Sequence, residues 1–168
     1  MLDCQTEKGK IYIAHEDWTA RWVEDHAKGK TELIGLSSLH PEYATDSCRA
    51  DRFAIGKSGQ KQALLEIKAR NMTLNTFVNS FQSEYLISVD KINECKKIAL
   101  RFKIPFFVFV NLIDDKYILK LKVLNKNGEF VIGHRIVRDF RTQKTCNGGS
   151  KLDDVYFLRT YSDNIIPK

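Results

Sequence analysis

No two cysteines in this chain stand close enough to form a C-x-x-C pair, so a redox dithiol and the usual thiolate zinc clusters are excluded. The four that exist, Cys4, Cys48, Cys95 and Cys146, are scattered, and His15, His26, His40 and His134 have no metal-ligand spacing among themselves. Proline is equally scarce. Pro41, Pro105 and Pro167 each fall where an element should begin or has ended, and no stretch rich in Pro, Gly or Ser reads as a linker. With no internal repeat, residues 1–168 read as one domain. No apolar run approaches the roughly 20 residues that cross a bilayer, and "MLDCQTEKGKIYIAHED" lacks the apolar core of a secretory signal. These absences point to a cytoplasmic protein with free thiols and no membrane partner. The "KGKTE" stretch carries Gly29, Lys30 and Thr31, but a phosphate loop needs glycine where Glu24 stands. No local signature supports a Ser, Cys or His nucleophile.

What the chain does have is basic charge, 27 Lys+Arg against 21 Asp+Glu, a balance compatible with a polyanionic partner. Hydrophobic periodicity predicts a helix over "HEDWTARWVEDHAKG", with Trp18, Trp22 and Val23 inward and Gly29 closing it. "TELIGLSS" reads as a strand, "LHPEYATDS" as a loop and "CRADRFAI" as a second strand. "GKSGQ" is a turn, and "KQALLEIKAR" the third strand. "NMTLNTFVNSFQSE" has no settled state, and Gln82 within it is a candidate to order a water or a substrate. A strand over "YLISVD" then leads into a helix over "DKINECKKIALRFK", where Ile92, Cys95, Ile98, Ala99 and Phe102 follow helical spacing. "IPFFVFVNL" is apolar throughout, as a strand covered on both faces would be. "DDKYILKLKVL", a turn at "NKNGE" and a strand at "VYFLRTY" complete a mixed α/β fold around a central sheet.

One strand breaks its own pattern. In "LLEIKAR", Glu66, Lys68 and Arg70 are spaced by two, and strand side chains alternate, so all three share a face. Charges are seldom buried unless they pair or bind an ion. Hydrolysing a phosphodiester needs a cation held by carboxylates, a nucleophilic water and positive charge near the phosphate. Glu66 supplies one carboxylate, and Asp51 on the preceding strand, across the hairpin, supplies a second. Lys68 can stand beside the water or the phosphate, and the Ile67 carbonyl can add an oxygen ligand. The same residues also fit a cross-strand ion-pair set, of the kind that contributes about 0.2–1 kcal/mol. Two other acid-x-Lys triplets, at Glu94 and at Asp114, lack this setting, one lying in a helix and one in a turn.

An aspartate, a hairpin and Glu-x-Lys on an apolar strand resemble the signature of the PD-(D/E)xK, or restriction-endonuclease-like, nucleases. The order αβββαβ over residues 16–124 is similar to that superfamily's core, and Ala50 stands where the motif has proline. The resemblance implies a central mixed sheet flanked by helices and a Mg²⁺-dependent DNA nuclease in which Mn²⁺ can substitute. It implies Asp51 and Glu66 as metal ligands with Lys68 as catalytic lysine, Asp46 being the competing upstream acid. It adds a carboxylate from the first helix, Glu24 by position with Glu16 as runner-up. Arg49, Arg52, Lys57, Lys61 and Arg70 surround the motif in sequence, and Arg52, Lys57, Lys61, Arg70 and Lys91 are the candidate nucleic-acid contacts. Lys91 could alternatively be solvated at its helix start. The glycine-containing "CNGGSK" loop beside Arg138, Arg141 and Lys144 could reach a groove or be only a hairpin tip. A chain this short has little room for a target-recognition domain, which favours structure-selective or partner-directed cutting in DNA processing, recombination or repair. A homodimer or a recruiting protein is compatible with that. The alternative is a non-catalytic DNA- or protein-binding module that kept the fold.

Overall fold

The computed structural model describes residues 7–27, 31–35, 51–143 and 150–168. Helix α1 spans Glu7–His26, followed by strands β1 (Thr31–Gly35), β2 (Arg52–Gly56) and β3 (Lys61–Arg70). Helix α2 (Leu74–Ser80), strand β4 (Glu84–Ser88) and helix α3 (Val89–Phe102) lead to β5 (Phe106–Leu112) and β6 (Tyr117–Leu124). Strands β7 (His134–Gln143) and β8 (Ser150–Arg159), a short 3₁₀ turn and β9 (Ile165–Pro167) finish the chain.

Two sheets result. The larger has the order β1-β2-β3-β5-β6-β9, and the smaller β4-β8-β7. β3 and β5 are parallel, while β2–β3 and β5–β6 are antiparallel. The expected central mixed sheet and the αβββαβ order are therefore present. A parallel pair needs a crossover, and α2, β4 and α3 provide it. β5 is apolar except for Asn111 because both faces are covered. Phe106, Val108, Val110 and Leu112 face α3 and the small sheet together with Leu64, Ile92, Cys95, Tyr85, Ile87 and Leu158. On the other face, Leu65, Ile67 and Phe109 pack against Ala20 and Trp22 of α1. Full burial of each large apolar side chain contributes about 1.5–3 kcal/mol.

Local chemistry sets the element ends. Ser88 caps α3 by accepting from the Lys91 N–H at 3.3 Å. At the other end Lys103, at φ 53°, donates back to the carbonyls of Ala99 and Leu100. The β2–β3 turn closes through Gly59, whose φ of 79° is costly for a side-chain-bearing residue.

Several expectations need correction. α1 begins at Glu7, earlier than expected, and Trp18 is 44 % exposed. At about 100° per residue, Trp18 stands about 40° from Trp22 but about 100° from Thr19, at the margin of the buried stripe that Thr19, Ala20 and Trp22 form, and it lies near the Lys168 ammonium. The unsettled segment 71–84 holds α2, capped by Thr73 and by Asp115, which accepts from Leu74 N–H at 2.8 Å. Exposed Gln82 and half-buried Ser83 follow in left-handed backbone, φ 52° and 57°. β7 and β9 were not expected at all. β7 hides its alternation behind a bulge between Val137 and Phe140, where Asp139 takes φ 49°. Gly29, the "LHPEYATDS" loop with Asp46, Arg49, Lys144 and the glycines of "CNGGSK" lie outside the described residues.

Candidate active site

β3 carries the charged face. It pairs through Leu65 with the start of β2, and Asp51, one residue ahead of that strand, donates its N–H to the Leu65 carbonyl at 3.1 Å. This places the Asp51 side chain next to Ile67, whose N–H donates to Asp51 Oδ2 at 2.7 Å. N–H and C=O of one strand residue point to the same side. The Ile67 carbonyl therefore faces the Asp51 edge as well.

Lys68 is the centre of the cluster. Its Nζ lies 3.2 Å from Asp51 Oδ2, 3.0 Å from Glu66 Oε1 and 3.9 Å from Glu16 Oε1. Glu66 is 1 % exposed, on the face covered by α3, and that helix delivers a second cation: Lys91 Nζ is 3.0 Å from Glu66 Oε1. The Ser88 cap fixes the turn from which Lys91 reaches inwards. Glu16 arrives from α1, so strand end, upstream loop and two helices converge here.

The electrostatics follow from burial and crowding. Loss of water raises the Glu66 carboxyl above its ordinary range, Asp51 adds to that, and Lys68 and Lys91 oppose it. Burial likewise raises Glu16, Lys68 partly offsetting it, while the charges of Asp51 and Glu66 push it further up. Burial alone would lower the Lys68 ammonium, but Glu66, Asp51 and Glu16 outweigh it and hold Lys68 protonated above the ordinary lysine range. Three carboxylates within 4 Å outweigh desolvation. Cys95 is fully buried, and burial pushes its thiol up, with the charge of Glu66 adding to that.

Do these groups suit a cation? Among the described residues no three acidic, thiol or imidazole groups form a ready-made metal cage, since the carboxylates converge on the Lys68 ammonium. The donor chemistry nevertheless fits a hard divalent ion, being all oxygen with three carboxylates against the two ammoniums. Glu16 Oε1 is buried and accepts no hydrogen bond, an acceptor that costs about 1–3 kcal/mol when left so.

Other sequence candidates divide. Arg70 stands at the site end of β3, its Nη2 3.5 Å from the Tyr85 hydroxyl, and its charge reaches Glu16. Arg52 pairs with Asp17 of α1 at 2.8 Å, one residue from Glu16. Lys57 and Lys61 are not brought to the site. Lys57 is in the hairpin turn, and Lys61 opens β3 with its ammonium over the rings of Phe102 and Phe53, at 4.6 and 5.4 Å. An extended strand rises about 3.3 Å per residue, which separates Lys61 from Lys68 by roughly 23 Å. Glu24 is not brought in either, because eight helical residues carry it about 12 Å along the axis from Glu16. Glu16 is the helix carboxylate at the cluster. Sequence reasoning passed over Tyr85, and the only signal for it was an aromatic in a short strand.

A family model described as "Phage putative PDDEXK endonuclease" matches residues 16–153. No curated protein and no solved structure matches the chain. The matched span includes Glu16, Asp51, Glu66, Lys68 and Lys91, the whole of the cluster. Among the described residues no helix is long and apolar enough to cross a membrane.

Proposed function

The chain belongs to the phage PDDEXK endonuclease family, and from that premise we propose that it is a divalent-metal-dependent nuclease that cuts DNA. The observation that carries this reading is the meeting of Glu16, Asp51 and Glu66 around Lys68. The three carboxylates, with the Ile67 carbonyl, are the groups that would hold Mg²⁺ or Mn²⁺. Such an ion, when bound, polarises the scissile phosphate and lowers the pKa of its water. Lys68, 3.0 Å from Glu66 and 3.2 Å from Asp51, gives a positive charge for the attacked phosphate and a hydrogen-bond donor that orients the water. Lys91 offsets the charge of Glu66 and keeps that carboxylate in place. Arg70 and Arg52, at the same end of the hairpin, are the phosphate contacts. The basic surplus of the chain suits the same partner.

In this reading cutting is structure-selective or directed by a partner, and a symmetric homodimer would bring two sites to two strands. The test is cleavage of linear, nicked, supercoiled and four-way-junction DNA in Mg²⁺, Mn²⁺ or EDTA. Wild-type protein is expected to cut only with metal. Lys68→Ala and Glu66→Ala should each lose about 10²-fold or more in rate. Equal rates in wild type and both variants, or cutting that persists in EDTA, would overturn it. DNA binding without cleavage under any condition would favour the non-catalytic module.

A further inference from the structure

Among the described residues, the buried layer between α1 and the large sheet is largely apolar, and the ion pairs Glu16–Lys68 and Asp17–Arg52 lie at its margin. Ala20, Trp22, Leu65, Ile67, Phe109 and Ile118 form it, yet Thr19 and Asn111 are buried within the same layer, 0 % and 1 % exposed. Asn111 Nδ2 donates to Thr19 Oγ1 at 2.9 Å, and Thr19 Oγ1 donates to the His15 carbonyl at 2.6 Å. The directions are forced. A hydroxyl has a single proton, and Thr19 gives it to His15, so Asn111 must present its amide nitrogen. The carbonyl of His15 belongs to the peptide plane that also holds the nitrogen of Glu16. The relay thus runs from the sheet to the turn of α1 that carries the Glu16 carboxylate.

Apolar contacts do not fix how far a helix slides or turns on a sheet, because burial is non-directional. A buried hydrogen bond does, because breaking it strands polar groups away from water. Asn111 is also well chosen as an anchor. It is in parallel register with Ala69, next to the Lys68–Val110 pair, so the strut starts from the part of the sheet that holds the Glu-x-Lys face.

We propose that Thr19 and Asn111 are positioning residues for the metal site: their buried relay sets the turn of α1 so that Glu16 reaches the cation held by Asp51 and Glu66. This rests on the metal-nuclease reading above. Groups that orient ligands from behind typically change metal affinity by about 10–100-fold when removed.

The test compares Thr19→Val, which keeps the shape and loses the hydroxyl, with Thr19→Ser, which keeps the hydroxyl. Asn111→Leu removes the same link from the sheet side and serves if Thr19→Val melts without cooperativity in EDTA. Two quantities are read: the rise in Tm on adding Mn²⁺ without DNA, and the Mg²⁺ concentration giving half-maximal cleavage. The expected result is an approximately tenfold higher metal requirement in Thr19→Val and Asn111→Leu, with cleavage recovering at saturating metal and Thr19→Ser close to wild type. Wild-type metal dependence in folded Thr19→Val or Asn111→Leu would overturn the strut while leaving the nuclease reading intact. So would a rate loss that saturating metal does not relieve, or Thr19→Ser behaving as Thr19→Val. Wild-type protein that neither gains Tm with Mn²⁺ nor cuts DNA would overturn the nuclease reading itself, and this role with it.

Discussion

Glu16→Gln should stabilise the metal-free protein. The substitution keeps the size of the side chain and removes its charge. In the folded chain that charge is poorly served, because Oε1 is buried without a hydrogen bond and its nearest cation, Lys68, stands 3.9 Å away and closer to Glu66 and Asp51. Burial and the two neighbouring carboxylates outweigh Lys68 and Arg70, which is why the Glu16 pKa lies above its ordinary value of 4.5. A folded pKa above the unfolded one means that the folded state holds the proton more tightly. The stability this brings is complete below pH 4.5 and is lost as the pH rises through the folded value. Taking about 1 kcal/mol for relieving a buried charge without a good partner, the glutamine variant should melt about 2–4 °C higher at pH 7 for a chain of this size. The gain should vanish below pH 4.5, where the wild-type carboxyl is also neutral. Thermal melts in EDTA at both pH values measure this. Saturating Mn²⁺ should invert the order by stabilising the wild type more. A variant that melts lower at pH 7 in EDTA, or whose gain is the same at pH 4, would refute the account of Glu16 as a carboxylate kept at a cost.

Lys91→Met removes one of the two cations holding Glu66 ionised, so Glu66 should bind its proton more tightly; the acid limb of the pH–cleavage profile should then move to higher pH, and an unmoved limb would count against the pairing. Lys57→Ala and Lys61→Ala, at the far end of the hairpin, should leave the Mg²⁺ concentration for half-maximal cleavage unchanged, which a metal titration checks. Arg135 grips Glu84 with three hydrogen bonds of 2.6–3.2 Å across β4 and β7, but it is exposed, so Arg135→Ala should move the midpoint of a urea melt only slightly. The Glu84 pKa is lowered, first by those bonds, so this contribution is present at neutral pH and is lost as the pH falls through that lowered value.

Much of this arrangement could be read without coordinates. The Glu66–Lys68 face follows from the strand period of two, and Asp51 follows from a hairpin short enough to count across. Lys91 was half legible, since helical spacing gives its place in the first turn but not what lies beneath it. The choice between Glu16 and Glu24 was not legible. They stand about 80° apart around α1 and about 12 Å apart along it, and where the helix crosses β3 decides which one meets Lys68. The basic residues around the hairpin show a related error, because nearness in sequence is distance in a strand, and Lys61 is carried to the opposite end. β7 escaped notice because its bulge shifts the alternation at Arg138 and Asp139, and β9 because three residues hold no periodicity to read. Asn111 sits inside an apolar run, where nothing but its polarity marks it.

The parallel pairing of β3 with β5 has a consequence for the order in which the molecule is built. Asp51, Glu66 and Lys68 are brought together by a local hairpin, whereas Leu64 meets Phe106 only after the intervening chain has closed a loop. Distant pairings return nothing until the entropy of loop closure has been met. The hairpin can therefore form early with its charges still hydrated. Glu66 loses its water only when β5 and α3 arrive, and Glu16 joins only when α1 docks on the finished sheet. A chain emerging half-folded holds the Glu-x-Lys strand without its Glu16 and Lys91 partners, so cutting power should be the last property acquired in refolding, after most of the secondary structure has formed.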